Sequence, residues 1–503
     1  MMAFENRGVM LDASRLLEKK SYYYSLLPWL KKWGYNILHF HFADDNGCAI
    51  VMPSHPTLAK DAAFTVEEIT DFIRVAGEHG LTVIPELECL GHTKFITTAP
   101  GYEHLGGSSA DTSGFNSLNP ELDGTRVILT ELLKDVADIF PSDIIHVGLD
   151  EVDMSGIEAY KGLSRDDQWK PFAAHAAWVH EEVRRLGKRP GMWGDHILKT
   201  PAMLTEFKTD VLMFDWHYDA NVSPASLELF LEKGFEVWGC PASVQWNDKL
   251  IASEHNQLQN LRDFSAIALD RKERGCTGMV NTIWCPWRYL SGVMDLPMAL
   301  GGHLFSEMDE SSTFAVDFCR DFYALDAVDA SACADAILGL HRLGKNRHFH
   351  HKLIKGIVDD NTAVFNREER RICAHMEREA AKAIAVLRPI VAQGSLHSER
   401  LNDYVLTGQM IETLARLGAH DFDSAYIGDI DTLIADLDTS WQRTKDEEWD
   451  TGDYPYMGVE WPLRAMKNLS LIKAKVNGAR DDGPCETPHD GSGRLGGKRI
   501  HPA

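Results

Sequence analysis

No apolar run in this chain reaches the roughly 20 residues that a membrane-spanning helix needs. Nor is there the apolar core of a secretory signal, because Glu5, Arg7 and Asp12 interrupt the N-terminus. Basic residues are scarce. The 51 Lys and Arg stand against 75 Asp and Glu, a formal charge of −24, which argues against nucleic acid and anionic membrane surfaces as partners. Glycine-rich phosphate loops are missing as well: no GxGxxG or Walker-type stretch follows any apolar run, so nucleotide binding has no support. Cysteine is sparse, nine residues in 503 without a CxxC pair. An odd number so spaced reads as reduced thiols, and the expectation is a cytoplasmic protein.

What is present is enough apolar material for a large core, 44% of the chain. The length fits one large domain and a smaller one. From residue 8 to about 308 a short apolar strand, a loop and an amphipathic helix recur. Eight strands can be read: Val9–Asp12, Asn36–Phe42, Leu81–Leu87, Ile144–Glu151, Pro190–Gly194, Val211–Trp216, Phe235–Cys240 and Gly278–Trp284. Punctuation supports the helices between them. Thr65-Val66-Glu67-Glu68 has the form of a capping box, Ser223-Pro224 and Thr200-Pro201 look like helix starts, and Gly34, Gly80, Gly187, Gly234 and Gly275 close helical runs. Near-continuous apolar strands alternating with helices mean a parallel sheet covered on both faces. Eight such units in about 300 residues predict an α/β fold, a (β/α)8 TIM barrel. Beyond residue 310 the strand signals stop, and Arg367–Gln393, Glu399–Leu417 and Ile430–Lys445 show helical periodicity. The expected division is a barrel over 1–310, a mostly α-helical domain over 311–476 and a disordered tail over 477–503.

Chemistry in such a barrel sits where the strands end. The fourth strand runs Ile144-Ile145-His146-Val147-Gly148-Leu149-Asp150-Glu151, an apolar strand ending in two adjacent carboxylates. Alternation along a strand puts His146, Gly148 and Asp150 on one face and leaves Glu151 at the tip. Like charges and burial raise a carboxyl pKa, which suits a general acid, although the same pair also fits a helix cap. Strand two ends in His39-Phe40-His41-Phe42-Ala43-Asp44-Asp45, and strand three in Pro85-Glu86-Leu87-Glu88-Cys89-Leu90-Gly91-His92. Strands five to eight end at or near Trp193, Trp216, Trp238 and Trp284. One tryptophan is ordinarily packing, but four on consecutive strand ends beside carboxylates suit the C–H faces of a sugar. The long segment from Thr93 to about Pro120 reads as a flap over the mouth. An aromatic turn at Trp449, Tyr454, Tyr456 and Trp461 is expected to pack on the barrel.

With these residues aligned, the chain resembles the glycoside hydrolase family 20 β-N-acetylhexosaminidases. The family signature His-x-Gly-x-Asp-Glu is similar to His146–Glu151. Its His-Trp-His-x-x-Asp-Asp-Gln motif is similar to His39–Asn46, and Pro-Glu-x-Asp-x-Pro-Gly-His to Pro85–His92. Arg7-Gly8-Val9-Met10-Leu11-Asp12 looks like the family's first strand with its sugar-binding arginine. The resemblance implies retaining, exo-acting hydrolysis in which the substrate's own 2-acetamido oxygen attacks the anomeric carbon, an exception to the two-carboxylate rule. It implies Glu151 as general acid and base and Asp150 as partner of the acetamido N–H. Arg7, Trp193, Trp216, Tyr218, Trp238 and Trp284 would bind the sugar. His92, Glu88, Asp44, Asp45 and His146 would support the pair. No cofactor and no metal are implied, and the partner is a terminal N-acetylhexosamine of an oligosaccharide or glycoconjugate, with a homo-oligomer left open.

Three departures stand out. Glu88 and Leu90 replace the usual Asp and Pro. Strand seven continues Gly239-Cys240-Pro241-Ala242, without the family's Tyr-x-Asp, so Tyr218 after strand six is the substitute hydroxyl. Trp284 is followed by Cys285 and Pro286, without the frequent Glu. Two rivals compete: a metal-dependent TIM-barrel hydrolase built on His39-x-His41, and a catalytically silent sugar-binding protein.

Overall fold

A computed structural model describes residues 4–106, 117–152, 157, 160, 163–164, 167, 169–244, 250–307, 311–344, 352, 365–421, 423–445, 466–471 and 473. The aromatic turn at Trp449–Trp461, the tail over 477–503 and the middle of the expected flap lie outside the described residues.

Eight parallel strands close a barrel: β1 (Asn6–Asp12), β2 (Ile37–Asp44), β3 (Thr82–Leu87), β4 (Ile144–His146), β5 (Arg189–Trp193), β6 (Leu212–Trp216), β7 (Val237–Cys240) and β8 (Cys276–Ile283). Closure comes from β1, which pairs with β2 in the register Gly8↔Ile37 to Asp12↔His41 and with β8 from Asn6↔Gly278 to Leu11↔Ile283. The strands are buried on both faces, as a helix-covered parallel sheet requires. Helices α1 (Lys20–Lys32), α2 (Val66–Glu78), α3 (Asp123–Ile139), α4 (Trp169–Arg185), α5 (Ala225–Glu232), α6 (Gln259–Leu269) and α7 (Asp295–Ser306) alternate with them. Thr65 caps α2 through the reciprocal box with Glu68. Gly34, Gly80, Gly187, Gly234 and Gly275 all take positive φ at the helix ends where they were expected. Thr200-Pro201 opens a 3-10 turn instead of an α-helix.

Two features differ from expectation. After β2 the chain turns back in a short antiparallel strand, Gly47–Ile50, followed by Ala59–Phe64, so that mouth edge carries a hairpin. And β4 ends at His146, because the chain enters left-handed conformations at Gly148 (φ 65°) and Leu149 (φ 74°). The alternation argued for His146, Gly148 and Asp150 therefore does not apply beyond His146. The flap's described ends are packed down, with Phe95, Ile96, Leu105 and Leu118 buried.

Past α7 come α8 (Phe314–Phe322), α9 (Ala327–Leu343), α10 (Arg367–Ala392), α11 (Ser398–Ala419) and α12 (Ile430–Thr444). α10 and α11 pair as a hairpin, and α11 is buried around most of its circumference, Arg400 and Asp403 included, because it lies against both α10 and the barrel. One continuous apolar core runs through barrel and helices alike. The change near residue 310 is thus a change of secondary structure without a break in packing. Among the described residues no helix is long and apolar enough to cross a membrane.

Candidate active site

Past β4 the backbone is held against its own preference. Left-handed φ is costly for Leu149 and for Glu151 (φ 45°). Neighbouring strands and loops hold this turn: Leu149 N–H donates to Glu88 Oε2 (3.3 Å), Glu151 N–H to Asp195 Oδ2 (3.2 Å), and Trp193 N–H to the Gly148 carbonyl (3.1 Å). At Gly148 any side chain would run into the Glu88 carboxylate, so glycine is required twice over, by φ and by space. Glu88 therefore touches the backbone of the turn, not Glu151. His146 accepts the Gly148 N–H at 3.2 Å, steadying the same turn from below.

The turn delivers both carboxylates to His92. Its Nε2 lies 3.7 Å from Asp150 Oδ2 and 3.4 Å from Glu151 Oε2, while Nδ1 faces Asp45 Oδ2 at 3.3 Å and Asp44 Oδ1 at 3.7 Å. Asp44 and Asp45 act on the pair through this imidazole. Burial would pull His92 down, but the surrounding carboxylates outweigh it and hold the ring well above the ordinary histidine value. The two acids respond oppositely. Burial, partly offset by His92 and reinforced by the charges of Asp195 and Glu151, pushes Asp150 up to about 7. Glu151 is lowered by His92, 3.4 Å away, and lies half in solvent. The raised value expected of one carboxyl thus falls on Asp150: His92 lowers Glu151, and partial exposure spares Glu151 the desolvation that Asp150 suffers.

Below lies a second layer. Glu86 is fully buried, with His41 Nδ1 at 2.8 Å, His39 Nε2 at 2.9 Å, His146 Nδ1 at 3.2 Å and Trp193 Nε1 donating at 2.5 Å. His39, Glu86 and His146 have metal-ligand spacing, as do His41 with Glu86 and Glu88, Asp44 with Asp45 and His92, and His92 with Asp150 and Glu151. Burial lowers His146 to about 4, and its Nδ1 accepts the Gly148 N–H, whereas His41 and His92 are held toward the protonated form. Burial opposes the charge on His41, yet Glu86 and Asp44 push it to about 10. A ring that holds its proton is a poor metal ligand.

Opposite the carboxylates stand Trp216, Tyr218 and Trp284. Trp216 stacks on Tyr218 at 4.8 Å between centroids, and Trp284 Nε1 donates to the Tyr218 hydroxyl at 2.9 Å. Trp193 is fully buried 6.0 Å beneath Trp284, so it forms the floor of the pocket rather than an open wall. Trp238 does not reach the mouth. Its indole N–H points to Glu236 and Thr277 at the opening residues of β7 and β8, the far end of the barrel. The strand-end reading failed there because Trp238 is the second residue of its strand, not the last.

Arg7, given a sugar-binding role by the resemblance, does not reach the mouth either. Its guanidinium donates to the carbonyls of Phe4, Glu5 and Gly34 at the start of β1. The arginine at the mouth is Arg15, which the sequence reading missed. It pairs with Asp12 (3.2 Å) and Asp44 (2.8 Å) and lies 4.8 Å over the Trp284 ring. The Asp12-x-x-Arg15 spacing, an acid at a strand end with a basic residue three positions on, was the available signal. Asp195 was missed too; it sits one turn past β5 with Oδ1 buried and without a hydrogen bond among the described residues.

Comparison with known proteins agrees with this geometry. Residues 4–268 match the model of the glycosyl hydrolase family 20 catalytic domain. A β-hexosaminidase of Vibrio furnissii is 32% identical over 253 residues, covering 42% of this chain and 40% of the relative. A β-N-acetylhexosaminidase of Cellulomonas fimi is 26% identical over 259 residues, 48% of each. The chain thus spans less than half the length of these curated relatives. In fold it is similar to the exo-β-N-acetylglucosaminidase of Vibrio harveyi solved with N-acetylglucosamine (TM-score 0.52, 20% identity, 68% of this chain and 59% of that one). The β-N-acetylhexosaminidase of Streptomyces coelicolor is a comparable neighbour (0.51, 19%, 67% and 70%). The matched 265 residues are more than half of the chain and carry the carboxylate pair, its imidazole and all but one strand of the barrel, so this chain belongs to glycosyl hydrolase family 20.

Proposed function

We propose that this protein is an exo-acting, retaining β-N-acetylhexosaminidase that works through the substrate's own acetamido group. The observation that carries the reading is the Asp150–Glu151 pair facing His92, across the mouth from Trp216, Tyr218 and Trp284. A retaining enzyme with its own nucleophile places two carboxyls about 5–5.5 Å apart, on either face of the sugar. Here the acids are neighbours in sequence on one turn, and the wall opposite is aromatic. That arrangement suits a nucleophile brought by the substrate.

In the reaction Glu151 gives its proton to the glycosidic oxygen while the acetamido carbonyl oxygen attacks the anomeric carbon, forming an oxazolinium ion as the C–O bond breaks. Asp150 accepts the acetamido N–H and balances the charge developing there. Water then adds to the anomeric carbon, Glu151 takes back a proton, and the ring opens to the β-sugar. Trp284 and Trp216 pin the acetamido group, over the floor made by Trp193, at near-attack distance. Tyr218 is assigned to its carbonyl, and Arg15 takes the sugar-binding role first given to Arg7. Docking of a sugar strips water from Glu151 and raises its proton affinity toward that of an acid. The eight described cysteines are buried thiols, which supports a reducing, cytoplasmic setting.

Turnover of a chromogenic N-acetyl-β-D-glucosaminide beside the matched β-D-glucoside tests the reading. Hydrolysis of the acetamido sugar alone, lost in Glu151→Gln, is the expected result. Equal rates on both sugars would require an enzyme nucleophile, and binding without turnover would leave a sugar-binding protein.

A further inference from the structure

The helical region beyond the barrel meets the loops at the mouth through buried charges, Asp403 at Gly292 and Lys445 at Glu18 among them. Lys445, the first residue after α12, is 2% exposed. Its Nζ lies 2.9 Å from Glu18 Oε1 and donates to Ser291 Oγ at 2.9 Å, over the rings of Tyr289 and Trp441. Ser291 in turn donates to Glu18 and meets the Thr444 hydroxyl at 2.8 Å. The backbones join as well. Glu18 and Lys445 form an isolated antiparallel bridge, and Lys19 N–H donates to the Thr444 carbonyl at 2.6 Å. Desolvating an ammonium and a carboxylate is expensive, so a pair this deep fixes geometry more than it adds stability.

What it fixes is the loop between β1 and α1. Near β1 that loop is tied to β2 and its hairpin: Ala13 and Ser14 N–H donate to the His41 carbonyl, and Ser14 Oγ donates to Gly47. At the other end it is tied to α12 through Glu18 and Lys19. Arg15 sits between the two anchors, with Asp12 accepting its N–H at 3.0 Å. We propose that Lys445 and Glu18 are positioning residues for the sugar site: the helical region holds Arg15 at its place over Trp284 by clamping the far end of its loop. This inference rests on the hexosaminidase reading and gives the helical region a part in sugar binding.

The test is a double-mutant cycle on the full chain, with the chromogenic N-acetyl-β-D-glucosaminide as probe. Lys445→Met is expected to raise KM by about tenfold with kcat changed much less, as a misplaced binding group does. Lys445→Arg, which keeps the charge, restores most of KM. In an Arg15→Ala background Lys445→Met adds nothing further to KM, because the group it positions is gone. If Lys445→Met does not fold, Glu18→Gln, which keeps a hydrogen-bonding side chain, takes its place in the cycle. A purely structural clamp lowers the melting temperature in both backgrounds and leaves KM alone, and that result overturns the proposal. So does a KM effect of equal size in both backgrounds. A wild-type protein that turns over no acetamido sugar removes the functional reading and this inference with it; active wild type with an insensitive Lys445→Met removes the inference only.

Discussion

The two halves of the barrel mouth are built by different physics. From β2 to β4 the side chains are charged and mutually dependent: Asp44, Asp45, Asp150 and Glu151 all lie within ion-pair distance of one buried imidazole, His92. From β6 to β8 the mouth is aromatic, and Trp216, Tyr218 and Trp284 touch through ring faces and one hydrogen bond. Charge is directional and costly to bury, so the acid half tolerates few arrangements. Aromatic surface is satisfied by any dense packing, so a tryptophan is equally at home in the mouth, on the floor or at the opposite end.

The largest effect should come from the acid half. Glu151→Gln and Asp150→Asn are expected to lower kcat by about 10²–10⁴-fold, the range of general acid and electrostatic contributions, with folding retained. Trp238→Ala is the contrast: a loss of about 3–5 kcal/mol of stability, as for other buried large-to-small aromatic changes, with KM near wild type. Thermal melts and steady-state kinetics on the three variants decide it. A Trp238 variant with intact stability and a raised KM would put that ring back at the sugar.

The same contrast holds for the two arginines. Arg15→Ala is expected to raise KM by about tenfold or more, since hydrogen bonds to a charged group contribute about 1.5–3 kcal/mol. Arg7→Ala removes the partner of three carbonyls at the barrel's other end and should lower the melting temperature while leaving KM in place. Here lies the difference between what was legible in the sequence and what was not. The eight strands, the glycine helix ends, the α2 capping box and the Asp150–Glu151 pair all have local signatures and were readable, although the left-handed turn that carries the pair was read as strand. Which end of a strand a residue occupies is a matter of register within a few positions, and period-two alternation does not mark it. Trp238 was misread for that reason, one position in from the start of its strand, whereas Arg7 was read at the start of β1 and took its sugar-binding role only from the family resemblance. The hairpin after β2 was missed because Gly47–Ile50 is too short to show a pattern.

A smaller effect should appear in the pH profile. With Asp150 near 7 and Glu151 lowered, the pair holds one proton between those two values, and that proton can sit on either acid when substrate arrives. Catalysis needs one proton on the pair. kcat/KM is therefore expected to fall tenfold per unit above about pH 7, as the pair becomes doubly ionised. A profile flat to pH 9 would show that the two acids are not coupled as their positions suggest.

The smallest expected effect is on stability and comes from the layer beneath. His41 is pushed to about 10 in the folded protein, against burial, by Glu86 and Asp44, while in the unfolded chain it titrates near 6.5. A raised folded value means that its stabilisation is fully present below about pH 6.5 and is lost as the pH rises toward 10. The melting temperature should accordingly drift down by a few degrees between pH 7 and 10. Asp44 and Glu86, both held low in the fold, give the opposite dependence only at acid pH and do not mask it. Glu86→Gln removes the main charge facing His41, so the alkaline drift should shrink in that variant, whatever the variant's overall stability. A wild-type melting temperature level across this range would mean that His41 is neutral.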